Sequence, residues 1–176
     1  RSPIIATIQG GSASLDQLQD GTPEVSVEEV SLDGFSRRRS PLETIEAGRG
    51  RVDLDKAEIV VGVGRGIKKK ENLKLIEDLA DALGAEIGAS RPVVDNEWLE
   101  RERQIGSSGQ NIAPRLYIAC GISGAIQHVV GMKNSSCIVA INTDPNAPIF
   151  NIAHYGVVGD LFEVVPKLIE ALQEED

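Results

Sequence analysis

The stretch that decides the fold runs from Leu116 to Asn142 and reads LYIACGISGAIQHVVGMKNSSCIVAIN. It predicts a strand over Leu116–Ala119, a turn rich in glycine and serine, a helix over Gly124–Gly131 and a second strand over Ile138–Ile141. Polar side chains therefore stand where a strand ends and a helix begins. In an open, parallel α/β sheet, that is where ligands bind.

The turn after Cys120 has the composition of an anion-binding turn. Gly121 and Gly124 let a backbone approach a ligand closely, and Ser123 adds a hydroxyl. A helix that begins here directs unpaired N–H groups and the positive end of its dipole at the same place. Gln127 and His128 lie one turn into that helix. The residues alone leave His128 open as a ligand contact or as an ordinary structural histidine.

The chain around this stretch continues the alternation of strands and helices. Strands are predicted over 57–64 and 85–90, and helices over 71–83 and 160–174, with Gly84 ending the first helix. Arg91 precedes Pro92, so we expect an extended residue at the end of a strand. It lies on the ligand edge, where it could face a ligand or form a surface ion pair. Apolar, β-branched strands of this kind are typical of parallel sheets covered on both faces. The predicted fold class is α/β, a three-layer domain built on a parallel sheet.

The first fifty residues have a more uneven pattern. Strands are predicted over 4–8 and 25–32, with a small, polar loop between them. Residues 37–41 form a basic loop, either a docking patch or a solvated surface. We interpret residues 1–50 as the strand-rich, incomplete end of a preceding α/β domain. Residues 51–176 are the ligand-binding domain.

Composition excludes several classes of function. The net charge of −9 over 176 residues disfavours a general nucleic-acid binder. No apolar run is long enough for membrane insertion. Cys120 and Cys137 fall in predicted buried strands, where we expect small core residues rather than a disulfide. We expect no metal site, and a reducing compartment, either a prokaryotic cytoplasm or a mitochondrial matrix.

Two glycine-rich motifs match known fingerprints only in part. The segment GVGRGI over 62–67 starts like a dinucleotide fingerprint, but Ile67 replaces the third glycine, and the sequence is not that of a P-loop. Arg65 could face an anion there, or the motif could be a tight turn without a ligand. The segment GISGA over 121–125 lacks the last glycine of a serine-hydrolase elbow, so that chemistry is disfavoured. His154 is interpreted as a surface or capping histidine.

Several motifs follow one another in a fixed order between about Ala57 and Leu172. They are GRG at 64–66, GASR at 88–91 with VD at 94–95, QIGSSG at 104–109, the stretch 116–142, APIF at 147–150, and YGVVGDLF at 155–162 with VVP at 164–166. This ordered set resembles the C-terminal, FAD-binding domain of the α subunit of electron transfer flavoproteins. The resemblance implies one extended FAD at the edge of a parallel sheet, in a fold like that of deoxyhypusine synthase.

The resemblance also implies which residues contact the flavin ring. Arg91 would lie against the isoalloxazine, with Ser90 beside it. Ser108 would hydrogen-bond near N5, and His128 would approach the C2 carbonyl, with Gln127 adjacent. The reduced flavin is anionic, so an arginine a few ångströms away would favour it by roughly 1 to 4 kcal/mol. For one electron that is on the order of 40–170 mV.

The rest of the cofactor would be held further along the same edge. Ser123, with Gly121 and Gly124, would serve the ribityl and phosphate part, and Asn142 the phosphate–ribose region. Asp160 and Leu161 would lie near the adenosine. Gly106 and Ser107 complete the predicted cofactor-binding set.

The chain departs from the family pattern at two residues and in length. His154 replaces the usual aspartate before Tyr-Gly, where we expect a local capping or surface change. Ser107 replaces a common glutamine, so flavin tuning would differ. The family's α subunit carries a further N-terminal α/β domain, so we expect this chain to be the C-terminal portion of a longer protein.

The resemblance implies an electron carrier rather than an enzyme. It would accept electrons from flavin-containing dehydrogenases, such as the acyl-CoA dehydrogenases of fatty acid β-oxidation, and pass them to a quinone oxidoreductase or similar acceptor. A β subunit would complete a heterodimer. One alternative is an NAD-binding enzyme on the same fold, but no catalytic lysine or ribose-binding acid is convincingly placed. Another is a ligand-free interaction domain.

Overall fold

The computed structural model describes residues 53–174, together with the single residue Gly21. The strands predicted over 4–8 and 25–32, the basic loop at 37–41 and the proposed first domain lie outside the described residues. No helix of the described part is long and apolar enough to cross a membrane.

Five parallel strands form one sheet, in the order β2-β1-β3-β4-β5. The strands are β1 (Ile59–Val63), β2 (Glu86–Ala89), β3 (Leu116–Cys120), β4 (Cys137–Asn142) and β5 (Tyr155–Val158). The helices are α1 (Leu73–Leu83), α2 (Arg91–Asp95), α3 (Ile126–Val129) and α4 (Leu161–Glu174). Short 3₁₀ turns lie at Arg65–Ile67, Lys70–Asn72, Arg101–Arg103 and Pro148–Asn151. The prediction of a parallel α/β sheet is confirmed.

Two apolar cores lie on opposite faces of the sheet. Successive strand residues point to opposite sides, so Val61 and Ile118 join one core, whereas Val60 and Tyr117 join the other. Helices α1 and α4 pack together over the first face. The second face is covered by residues of the segment 104–113, the region around α3 and the 3₁₀ turn Pro148–Asn151. These are the three layers that the sequence predicts.

The long helices form where the apolar spacing predicts them. Leu73, Ile76, Leu79 and Ala80 form the buried stripe of α1. Gly84 ends that helix in the left-handed region, at φ 60° and ψ 35°, as predicted. Asp160 precedes α4, and its Oδ1 accepts a hydrogen bond from the Phe162 N–H at 3.0 Å.

Three local predictions differ from the structure. Strand β2 ends at Ala89, Ser90 is the extended N-cap, and Arg91 begins α2 rather than ending a strand. Proline in a first helical turn loses only an N–H that would be unpaired there, so Pro92 does not prevent the helix. The helix expected over 124–131 shortens to the four residues of α3. Strand β5 was not predicted, since it is short and exposed at all four positions.

The cysteines are free thiols, as predicted. Cys120 is fully buried in β3, and burial raises the pKa of its thiol to about 12. Cys137, at the start of β4, is only half-buried. Neither forms a disulfide, and both lie in strands of the core sheet.

Candidate functional site

A cleft of about 710 Å³ opens at the carboxyl ends of the strands. The sheet order reverses between β1 and β3, because the chain continues to β2 on one side and to β4 on the other. Ligands of open α/β sheets bind at such a reversal. The lining comes from the segments that follow β1, β2 and β3 and from the last residue of β4: Gly64, Arg65, Gly66, Ser90, Arg91, Pro92, Asp95, Gln104, Ile105, Gly106, Ser107, Ser108, Gly121, Ile122, Ser123, Ala125, Gln127, His128 and Asn142.

The glycines after β1 serve close backbone packing. The Gly64 N–H donates to the Cys120 carbonyl at 2.9 Å, and the Gly66 N–H donates to the Gly121 carbonyl at 3.1 Å. A Cβ at Gly64 would overlap the Gly121 carbonyl, and one at Gly66 would lie 2.6 Å from the Gly121 Cα. The Gly64 and Gly66 amides therefore already donate hydrogen bonds within the protein. Arg65, which lies between these glycines, is exposed at the cleft.

The turn after β3 is fixed in a similar way. Gly121 has φ 63°, in the left-handed region that favours glycine, and its N–H donates to the Ile141 carbonyl at 2.9 Å. Asn142 Nδ2 donates to the Ile122 carbonyl at 2.9 Å, while Oδ1 accepts from the Asp144 N–H. Gly121 thus supplies close approach rather than a free donor. The Asn142 side chain holds two loops together at the cleft's edge.

The segment 104–109 forms the wall opposite this turn. Gly106, at φ 133°, packs so closely on α3 that a Cβ would overlap the Gln127 carbonyl. The Ser107 N–H donates to that carbonyl at 2.8 Å. Gln104 is buried, and its Nε2 donates to Ser108 Oγ at 2.9 Å. Because Ser108 accepts this hydrogen bond, its own hydroxyl proton is free for a ligand.

A buried imidazole lies at the inner end of the cleft. His128 is 6% exposed, and its Nε2 lies 2.8 Å from Tyr117 Oη. Burial lowers the pKa of His128 to about 4, and the Ile105 backbone offsets part of that shift by favouring a protonated ring nitrogen. Nδ1 is buried and makes no hydrogen bond of normal geometry. His128 is therefore neutral at pH 7.

Two arginines bring positive charge to the mouth of the cleft. Arg65 and Arg91 are both exposed. Arg91 Nε lies 3.3 Å from Asp95 Oδ2, one turn along α2, with the two side chains 70% and 60% exposed. An exposed pair of this kind contributes little stability, but Asp95 offsets part of the positive charge that Arg91 presents to a ligand.

The structure brings most of the predicted site residues together. Ten of them line the cleft: Ser90, Arg91, Gly106, Ser107, Ser108, Gly121, Ser123, Gln127, His128 and Asn142. Gly124, Asp160 and Leu161 are not among the lining residues. Gly124 packs against Ile149, and Asp160 caps α4 and lies 3.5 Å from Lys68 Nζ.

The sequence patterns did not indicate that Gln104 or Tyr117 contacts residues of the site. Gln104 belongs to the QIGSSG motif, four residues before the serine that it contacts. Tyr117 looks like an ordinary apolar strand residue, and only the fold brings its hydroxyl to His128. His154 is an exposed residue, as the surface interpretation predicts, and its Nδ1 accepts a hydrogen bond from the Ile138 N–H of β4 at 2.9 Å.

The reversed strand order and the glycine- and serine-lined cleft define a dinucleotide-binding α/β domain. Residues 53–133 match the family model described as the electron transfer flavoprotein FAD-binding domain. The chain belongs to the electron transfer flavoprotein α-subunit family, whose FAD-binding domain it contains.

Individual relatives agree with this assignment. The chain is 46% identical over 171 residues to the electron transfer flavoprotein subunit alpha of Bacillus subtilis, and 43% identical over 177 residues to that of Thermoanaerobacterium thermosaccharolyticum. It is 56% identical over 125 residues to protein FixB of Azotobacter vinelandii. The matches cover 97%, 99% and 71% of this chain but 52%, 53% and 35% of those proteins. The chain thus spans about half the length, or less, of these relatives.

Proposed function

We propose that this chain binds FAD in the cleft and serves as the flavin-carrying part of an electron carrier. Two kinds of observation support the proposal. Two relatives that match nearly the whole chain are named as electron transfer flavoprotein α subunits. The cleft lies at the reversal of the strand order, and residues of the predicted set line it. FAD, when bound, supplies the capacity to accept and release electrons.

The donor set of the cleft fits a flavin dinucleotide. The volume of the cleft, about 710 Å³, falls within the range of roughly 300–1,000 Å³ that small-molecule sites occupy. Ser90, Ser107, Ser108 and Ser123 offer hydroxyls, and the arginines offer charge for an anionic cofactor. Nδ1 of His128 makes no hydrogen bond of normal geometry, although the Ile105 backbone lies beside the ring. Buried polar atoms without a normal hydrogen bond are rare and call for an explanation, such as a bound molecule.

We assign the ring end of the cofactor to the side of the cleft built by α2, the segment 104–109 and α3. Arg91 would lie against the isoalloxazine, Ser108 would donate near N5, and His128 would approach the C2 carbonyl. Gln104 would hold the Ser108 oxygen so that the serine proton points away from the amide. Each of these residues acts by position and charge, and none undergoes a chemical change.

We assign the phosphate and adenosine end to the side near Ser123 and Asn142. Because the amides of Gly64, Gly66 and Gly121 are already hydrogen-bonded to the protein, these three do not serve the phosphate, and we expect side chains to contribute. Ser123 and Arg65 are both exposed at the cleft and meet this need. Asp160 and Leu161 remain assigned to the adenosine, just beyond the cleft's lining.

The wider role follows from the family. The carrier would take electrons from flavin-containing dehydrogenases, such as those of fatty acid β-oxidation, and deliver them to a quinone oxidoreductase or similar acceptor. A β subunit would be its obligate partner. It would work in a bacterial cytoplasm or, in a eukaryote, in the mitochondrial matrix. An NAD-binding role is less well supported, because Ser90 rather than an acidic residue follows β2.

Reconstitution with FAD tests the proposal. The purified chain is mixed with FAD, desalted, and examined by absorption and flavin fluorescence, alone and with a β subunit. Retention of about one FAD per chain under either condition supports the assignment. Failure to retain FAD under both conditions, with binding of nicotinamide dinucleotide instead, would reject it. Arg91→Gln removes a positive charge at the cleft. Lys133→Gln removes the same charge from an exposed lysine after α3, outside the cleft lining, and is the control.

A further inference from the structure

A buried tyrosine lies directly behind His128. Tyr117 is the second residue of β3 and is 0% exposed, with its Oη 2.8 Å from His128 Nε2. The hydroxyl occupies the place of a missing side chain on the neighbouring strand, because any Cβ at Gly62 of β1 would overlap it. Gly62 is therefore a core residue of the sheet. In this fold its role is to admit the phenol rather than to bind a phosphate.

The direction of this hydrogen bond follows from burial. Burial raises the pKa of Tyr117 well above its ordinary value, so the phenol keeps its proton. A buried hydroxyl needs an acceptor for that proton. Among the described residues, His128 Nε2 is the hydrogen-bond partner that the phenol has. Tyr117 is therefore the donor, and Nε2 is the acceptor.

The imidazole must then carry its proton on the other nitrogen. A neutral imidazole has one N–H, and a nitrogen that accepts a hydrogen bond cannot hold it. The Ile105 backbone beside the ring favours a protonated ring nitrogen, in agreement with a proton on Nδ1. With Nε2 engaged, Nδ1–H is the polar hydrogen that the ring has left to donate.

We propose that Tyr117 is a positioning residue of the cofactor site, whose hydroxyl fixes His128 as a neutral imidazole with its proton on Nδ1. The ring then serves the site as an uncharged donor, and the arginines supply the positive charge. The effect on the cofactor rests on the proposed function. The state of the ring does not, since it depends only on the protein's own contacts.

The chain contains an internal comparison for this proposal. It has two histidines, and they are expected in opposite tautomers. His154 Nδ1 accepts the Ile138 N–H, so its proton belongs on Nε2. His128 Nε2 accepts the Tyr117 hydroxyl, so its proton belongs on Nδ1. The chain also has two tyrosines, and Tyr155, 67% exposed on β5, provides the matched control for Tyr117.

Nitrogen NMR of the ¹⁵N-labelled full chain at pH 7 measures the ring state directly, with or without FAD. We expect a protonated Nδ1 and an unprotonated Nε2 for His128, with the reverse pattern for His154. Tyr117→Phe should release His128 to a mixture of tautomers, whereas Tyr155→Phe should leave both rings unchanged. A protonated Nε2 on His128 of the wild-type chain, or a doubly protonated ring, would overturn the proposal even if the Tyr117→Phe variant failed to fold.

A double-mutant cycle measures the effect on the cofactor. Tyr117→Phe should weaken FAD binding about 3- to 10-fold, the factor that corresponds to one ordinary hydrogen bond. In a His128→Gln background the same change should have little further effect, since the ring through which Tyr117 acts is gone. Equal losses in both backgrounds would show that Tyr117 acts only by packing. If the chain bound no FAD at all, the proposed function would fail, while the ring spectra would still decide the state of His128.

Discussion

The buried His128 predicts how the stability of the chain depends on pH. Replacing it with Gln removes the ionisable ring but keeps an acceptor for the Tyr117 hydroxyl. The flavin-free wild-type chain should lose stability as the pH falls from 7 to 5, and His128→Gln should lose distinctly less. The reason is that the folded chain resists protonation of a ring that is 6% exposed, whereas the unfolded chain does not.

The sign and size follow from the two pKa values. The pKa of His128 is about 4 in the folded chain, below its ordinary value of 6.5. Between those values the unfolded chain binds a proton that the folded chain lacks, so the free energy of unfolding decreases as the pH decreases. The contribution is present above pH 6.5 and is lost as the pH falls through this window. Between pH 7 and pH 5 the loss is about 2 kcal/mol.

Urea unfolding at pH 7 and pH 5, followed by circular dichroism, gives the free energies for both proteins. Taking the difference between the proteins cancels the contributions of groups that they share. His154→Gln is the matched control, because it removes a histidine that is exposed and carries no comparable burial. Parallel pH profiles for wild type and His128→Gln, or equal flattening in the two histidine variants, would refute the burial argument.

Three further outcomes follow from the cleft. Arg91→Gln should lower the flavin reduction potential and Asp95→Asn should raise it, each on the order of 40 mV because both side chains are largely exposed; shifts of the same sign in a spectroelectrochemical titration would contradict the charge argument. Gln104→Leu and Ser108→Ala should each weaken FAD binding, and together by less than the product of their effects, because they share one hydrogen bond; independent effects in fluorescence titrations would count against that link. Gly64→Ala should destabilise the chain by about 1–3 kcal/mol in urea unfolding, since its Cβ would overlap the Gly121 carbonyl; an unchanged midpoint would contradict the packing account.

Local patterns were sufficient to predict four of the five strands and the two long helices. The apolar run at 59–63 and the spacing of Leu73, Ile76 and Leu79 depend on contacts that any α/β core requires. The sequence also predicted that segments after successive strands would meet at one edge, because parallel strands all end there. For this reason Ser123 could be placed at that edge from the residues alone, whereas Ser90 and Gly106 were assigned to the site through the resemblance to the flavoprotein family.

The missed features depend on contacts between residues far apart in the chain. Strand β5 has only four residues, and its apolar side chains are exposed rather than part of a core, so it is defined chiefly by its pairing with β4. Arg91 was expected to be extended because it precedes a proline. That rule is only a bias, and here Arg91 and Pro92 lie in the first turn of a helix, where proline is well tolerated. The contact between Tyr117 and His128 is invisible in sequence, since it needs the space that Gly62 leaves on another strand.

Gly64, Gly66 and Gly121 support the cofactor site through close packing rather than through their own amides. The sequence suggested that the turn after β3 would serve a phosphate, yet the Gly121 N–H, like those of Gly64 and Gly66, donates to a carbonyl of the protein at 2.9–3.1 Å. Their contribution is to let two turns touch, which places side chains such as Ser123 at the cleft. Loss of a serine hydroxyl should therefore reduce cofactor affinity and leave the fold intact. A side chain on one of these glycines should instead destabilise the fold, because its Cβ would lie too close to the backbone of the neighbouring turn.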